Sequence, residues 1–294
     1  VSTSIEQSST ALAAGRVRVS APVVAALLLF AVLFAQPARL LALDWWNDPE
    51  AGHGLLLAPL AVWLAWRSGL RGDTRPQPAL GLALVAAAVL VRYLSGLAAE
   101  LFTMRASMVL AVAGLVVFYW GLGQLRRWWL PCTLLLLSIP LPSIVTNSLA
   151  LPLQFKASRM GAALLEMRHV PVLLSGNVIL LPGHRLFVTE ACSGLRSLTA
   201  LLSLAVLLGG MWLRMPLGRI LLIALAVPVA ILINGVRVFL TGFLVYFVSP
   251  EFGEGFMHIT EGWVLFLVSF GILGGVTWLL ERGERLVRRE AVNA

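Results

Sequence analysis

"GLRSLTALLSLAVLLGGMWLRMPLGRILLIALAVPVAILINGV", residues 194–236, holds two apolar runs parted by Arg214, Pro216 and Arg219. No charged residue occurs at 197–213 or at 220–236. Each run approaches the roughly 20 apolar residues that cross a bilayer as a helix. The stretch therefore reads as two membrane spans joined by a short basic turn.

The whole chain follows that pattern. Of its 294 residues, 59% are hydrophobic and 12% charged, with a mean hydropathy of +0.90. Soluble domains carry about 25% charged residues. No soluble core could bury this much apolar surface, so the solvent is lipid. The net charge of +8 comes almost wholly from arginine, since Lys156 is the only lysine. The arginines punctuate the gaps between apolar runs and form no stripe interleaved with aromatics. That excludes a nucleic-acid site and points to topology.

Eight candidate spans fall near 21–43, 53–67, 79–97, 106–123, 128–145, 194–213, 216–238 and 259–280. The second is short, and Pro140 and Pro142 should break the fifth at the interface. With eight spans, Arg16 and Arg18, Arg67 to Arg75, Arg126 and Arg127, Arg214 and Arg219, and Arg282 to Arg289 all fall on one side. By the positive-inside rule that side is the cytoplasm. Residues 1–20 then form a cytoplasmic tail, 21–280 a single membrane domain and 281–294 a basic cytoplasmic tail. The first and last ten residues are expected to fray, and the first apolar run reads as a retained helix, not a removed signal peptide.

Residues 143–193 form the one sizeable segment outside lipid. "NSLALPLQFKASRMGAALLEM" has apolar residues at helical spacing and reads as an interfacial helix. "VPVLLSGNVILLPGHRLFVTE" alternates short apolar stretches with "SGN" and "PGH", the pattern of a small β-hairpin or three-strand meander. The fold class is an all-α polytopic membrane protein of about eight transmembrane helices, with this small extracytoplasmic helix and β-hairpin.

Ionisable groups at a membrane edge are costly to keep and so are functional candidates. Cys192 stands where the sixth span enters from outside. There the helix dipole favours a thiolate, and the N–H groups of Ser193 and Gly194 could hold an oxyanion. The competing reading is a buried structural cysteine, which is how Cys132 reads inside its apolar run. Arg237 lies late in the seventh span, against the positive-inside bias, with Asn234 on the same helical face. Its alternative is an arginine that snorkels to the interface. His258 at the outer mouth of the eighth span and His53 at the start of the second are candidate proton carriers or plain interfacial histidines. His169 and His184 read as loop residues. Glu190 either orients a basic partner or is solvated. Thiol, guanidinium and imidazole together are the parts of an acyl-transfer site. No Cys/His spacing suggests a metal, and no motif suggests a cofactor.

"EACSGLRSL" at 190–198, "NGVR" at 234–237 and His258 resemble the exosortase/archaeosortase family of membrane transpeptidases. "DPEAGHGLLLAPL" at 48–60 is similar to that family's acidic-to-HG stretch, with Ala51-Gly52 where Tyr-Ser is usual. "IPLP" at 139–142 and the run from Leu151 through "GNVILLP" also look like the family. The resemblance extends over roughly residues 44–280. It implies a catalytic set of Cys192, Arg237 and His258, with His53 demoted to a supporting place beside Asn234, Ser193, Gly194 and Glu190. It also implies exported substrate proteins with a C-terminal sorting tail, consisting of a motif (often Pro-Glu-Pro), a transmembrane helix and a basic end. The setting it implies is the bacterial inner membrane, with transfer to an unidentified envelope acceptor. Two other readings stay open: a purely hydrolytic cysteine protease, and a non-enzymatic transporter subunit.

Overall fold

The computed structural model describes residues 21–48, 50–188, 194–249 and 255–293, with backbone alone at 21–22, 255–263 and 290–293. The N-terminal tail with Arg16 and Arg18, and the candidates Glu190, Cys192 and Ser193, lie outside the described residues. Ten helices and one small sheet make up the rest. Among the described residues, six helices are long and apolar enough to span a bilayer: α1 (Ala21–Asn47), α3 (Pro78–Leu97), α4 (Leu101–Trp120), α8 (Leu195–Trp212), α9 (Pro216–Phe247) and α10 (Gly255–Asn293).

The two weakest expected spans are where structure and sequence part. α2 (Gly54–Ser68) is a 15-residue helix. In place of the span expected at 128–145 stands the nine-residue α6 (Trp129–Leu137), preceded by the short α5 (Leu122–Arg127) and followed by non-helical chain to Pro142. Pro140 and Pro142 explain the stop. Each lacks an N–H donor, and each biases the residue before it towards extended backbone. A count of eight full-length spans is therefore not what the helices show. The short pieces nonetheless run antiparallel to each other. At one end His53 meets the Leu137 carbonyl, and at the other Gln124 bonds Gly69 and Arg71.

Lipid offers helices no hydrophobic drive to associate, so close packing through small residues takes its place. The α3–α4 hairpin shows this: a Cβ on Gly81 would meet the Phe118 backbone at 2.5 Å. Its turn is closed by Glu100, which accepts from the N–H groups of Phe102 (3.0 Å) and Thr103 (2.6 Å) and so caps α4. Leu201, Ala205, Leu222, Ala226 and Leu273 form the main core, joining α8, α9 and α10. At one end of that core Glu284 of α10 accepts from the N–H groups of Arg214 (2.9 Å) and Met215 (3.2 Å), which precede α9. α10 also runs on as helix to Asn293, where a frayed tail was expected. Arg285 pairs with Glu281 at 2.6 Å and Arg282 stacks on Trp278, which supports the extension.

The expected outer helix is α7 (Ser143–Glu166), packed on α9. A Cβ on Gly161 would meet the Val238 side chain at 2.5 Å. The following sheet is the three-strand antiparallel meander rather than a single hairpin: β1 (Leu173–Ser175), β2 (Val178–Leu181) and β3 (His184–Phe187). Gly176 and Gly183, at φ 65° and 78°, make its turns possible. Ile179, Leu181 and Val188 bury its inner face in a second core with Leu165 and Val245.

Candidate active site

α8 starts at Leu195, preceded by Gly194 in the left-handed conformation, φ 80°. A Cβ at Gly194 would stand 2.7 Å from the Asn234 side-chain amide. Only glycine combines that backbone angle with that approach. Asn234 is buried (4% exposed), and Arg237 follows one turn later on α9, half-buried, its carbonyl accepting from Thr241 Oγ1 at 3.0 Å. Asn234 of α9 is thus pressed against the turn into α8, two residues after Cys192 in sequence.

Helix rise places the remaining member at a similar level. From the Glu284 cap, which joins α10 to the start of α9, Arg237 stands about 33 Å along α9 at about 1.5 Å per residue. By the same measure the His258 backbone, in the first turn of α10, stands about 39 Å along its helix. Leu195 stands about 27 Å from Leu213, the residue before that cap. Of the expected set, Asn234 and Gly194 are brought together directly, and Arg237 lies one turn beyond Asn234 on α9. His258 has its backbone at the same end of the same three-helix core, while Glu190, Cys192 and Ser193 lie outside the described residues.

His53 occupies a different place. Nδ1 lies 3.1 Å from the Glu50 carbonyl and Nε2 lies 3.2 Å from the Leu137 carbonyl. Trp45 Nε1 donates to Ser138 O at 2.7 Å beside it. The imidazole therefore links the start of α2 to the end of α6. Burial pushes its pKa below the ordinary value, while the two carbonyls and Asp48 raise it. A neutral ring donates to one carbonyl only, and a protonated ring to both. Because burial wins, the folded protein binds this proton less well than the unfolded chain. The contribution of His53 to stability is then complete above the ordinary pKa of about 6.5 and is lost as pH falls through the lower folded value. In detergent, the melting temperature of the wild type should drop between pH 7 and pH 5, and His53→Gln should show a shallower drop. Identical slopes for the two proteins would remove His53 from this role.

A cavity of about 580 Å³ opens beside the first turns of α8, lined by Leu195, Arg196 and Thr199 on that helix. Asp44, His53, Glu100 and Arg105 also line it. Arg105 is 3% exposed and pairs with Asp44 at 2.6 Å. The sequence reading missed this pair and the cavity it borders. Arg105 carried the same signal as Arg237: an arginine at the edge of an apolar run, on the side opposite the basic loops. The arrangement supplies an apolar, partly charged recess beside the first turn of α8, in the volume range of ligand-binding clefts.

The family model for transmembrane exosortases (Exosortase_EpsH) matches residues 45–275. The match takes in α2 to α9 and most of α10, including Cys192, Arg237 and His258. No curated protein and no solved structure matches the chain. With the polytopic helical fold and a match over more than three quarters of its length, this chain belongs to the transmembrane exosortases, a family of membrane cysteine transpeptidases with a role in protein sorting.

Proposed function

We propose that this exosortase cleaves the C-terminal sorting tails of exported proteins through a thioester on Cys192 and passes them to a cell-envelope acceptor. The observation that carries the reading is the contact between Gly194 and Asn234. It sets Asn234, one turn before Arg237 on α9, against the residue that begins the turn into α8, and this supports the reading. The substrate helix docks laterally from the bilayer, and its motif enters the recess beside α8. Arg237 donates to the scissile carbonyl and steadies the oxyanion. The Cys192 thiolate attacks the carbonyl carbon, and the C–N bond breaks as His258 gives a proton to the leaving amine. His258 then takes a proton from the incoming nucleophile, which displaces the thiolate. The protein sits in the bacterial inner membrane, site outward and both termini cytoplasmic. The arginine distribution supports that orientation.

Co-expression with a tail-bearing substrate and mass spectrometry of the product test this function. A mature substrate whose new C-terminus carries an added mass is expected. A free carboxyl terminus would instead make the enzyme a hydrolase, and an intact tail would remove the proteolytic reading altogether.

A further inference from the structure

The opposite end of the bundle holds a second cavity, of about 440 Å³, between the α2–α3 loop and the α4–α5 turn. Arg71, Arg75 and Arg126 line it, with Asp73 the one carboxylate among the lining residues, beside Trp120 and Gln124. Arg71 is spent on Asp73, with Nε and Nη2 at 3.0 and 3.1 Å. Arg75 and Arg126 are exposed and make no hydrogen bond or ion pair among the described residues. The frame around them is rigid. Gln124 is fully buried; its Oε1 accepts from Arg71 N at 2.9 Å and its Nε2 donates to Gly69 O at 3.1 Å. Gln77 N donates to Val117 O at 3.2 Å, and Gly121, at φ 82°, leaves no room for a Cβ against the Arg75 carbonyl.

Topology alone asks for positive charge in this loop, not for a pinned recess around two unpaired guanidinium groups. A guanidinium fork matches phosphate oxygens in geometry and charge. Pro78 begins α3 and Trp120 ends α4, the next span, which sets the recess at the level where aromatic belts and lipid headgroups meet. We propose that this cavity binds a phosphate group through Arg75 and Arg126, either as the headgroup of an anionic phospholipid or as a free phosphate ester.

The full-length protein in detergent can be titrated with phosphatidylglycerol, phosphatidylcholine and sn-glycerol 3-phosphate, with native mass spectrometry and melting temperature as readouts. The variants are Arg75→Gln/Arg126→Gln and a control, Arg282→Gln/Arg288→Gln, which removes the same charge elsewhere. At about 1 kcal/mol for each basic residue, the first pair should weaken phosphatidylglycerol binding about 30-fold. The control pair should weaken it far less, and phosphatidylcholine should bind weakly throughout. Phosphatidylglycerol binding without glycerol phosphate binding assigns the site to lipid. Binding of both, each lost in the first pair, assigns it to phosphate esters in general. Equal loss in the two pairs would reduce the effect to diffuse charge and overturn the site, as would unchanged binding in Arg75→Gln/Arg126→Gln. Both side chains are exposed and bond nothing within the described fold, so unliganded melting temperatures should agree and separate lost binding from misfolding.

Discussion

Cys192→Ala and Cys192→Ser should both abolish processing of a tail-bearing substrate, while Cys132→Ala keeps it. Cys132 is half-buried in α6, flanked by Pro131 and Leu134 of the apolar packing. Nothing basic or acidic adjoins it in sequence, and its loss removes only a small apolar volume. Cys192 precedes by three residues the N-terminal end of an 18-residue helix. The positive end of the helix dipole favours a thiolate there. Serine cannot substitute, because its hydroxyl is far less acidic and needs a dedicated base that a thiolate site does not require. In a serine hydrolase, losing the nucleophile costs on the order of 10⁶ in turnover. The readout is the mass of the substrate after co-expression, with the variants confirmed in the membrane fraction. Substantial cleavage by Cys192→Ser would show that another group attacks the carbonyl.

Arg237→Lys should be the next most damaging change, although it keeps the charge. Losing one oxyanion donor raises a barrier by about 2.7–4 kcal/mol, a factor of about 10²–10³ in rate. The guanidinium presents several N–H groups in a fixed plane, whereas an ammonium is a single compact charge on a flexible stem. The position of Arg237 is set from below: Asn234, one turn earlier, is held against Gly194. A single ammonium on the same backbone therefore replaces a fixed plane of N–H donors with one mobile charge. The loss should appear in chemistry and not in docking. Photocrosslinking in membranes should still capture the substrate tail on Arg237→Lys, with little thioester formed. His258→Ala should also crosslink, but stall when the leaving amine needs a proton. Near wild-type processing by Arg237→Lys would make the arginine an interfacial anchor. The oxyanion donor would then have to be sought at Asn234 or the amides of Ser193 and Gly194.

The membrane-crossing pattern was legible because it rests on run length and charge punctuation, both local properties. α3, α4, α8 and α9 lie close to where apolar runs 79–97, 106–123, 194–213 and 216–238 placed them. The meander was legible for a similar reason, since "SGN" and "PGH" put glycine where the chain turns with positive φ. The split at 128–145 was harder. A hydropathy window averages across the non-helical stretch after Leu137, and Pro140 and Pro142 announce an end without saying that the helix has already stopped there. Pairings between distant residues were not legible at all. His53 bonds a carbonyl 84 positions away, and Arg105 bonds Asp44 across 61. Composition carries no trace of either. Asn234 was picked out by its helical face with Arg237, but its contact with Gly194 needed the packing of α9 on α8.

The Glu284 cap turns α9 and α10 into a pair of tongs. The two helices are riveted at one end by a carboxylate on backbone N–H groups, and their far ends carry Arg237 and the backbone of His258. Over an arm of about 33 Å, a swing of about 3° at the rivet displaces the tip by about 2 Å. Misplacing a catalytic group by about 1 Å can cost about 10²-fold. On the proposed function, the Glu284 carboxylate therefore helps, together with the core between the helices, to fix the spacing of Arg237 and the His258 backbone from the far end of the bundle.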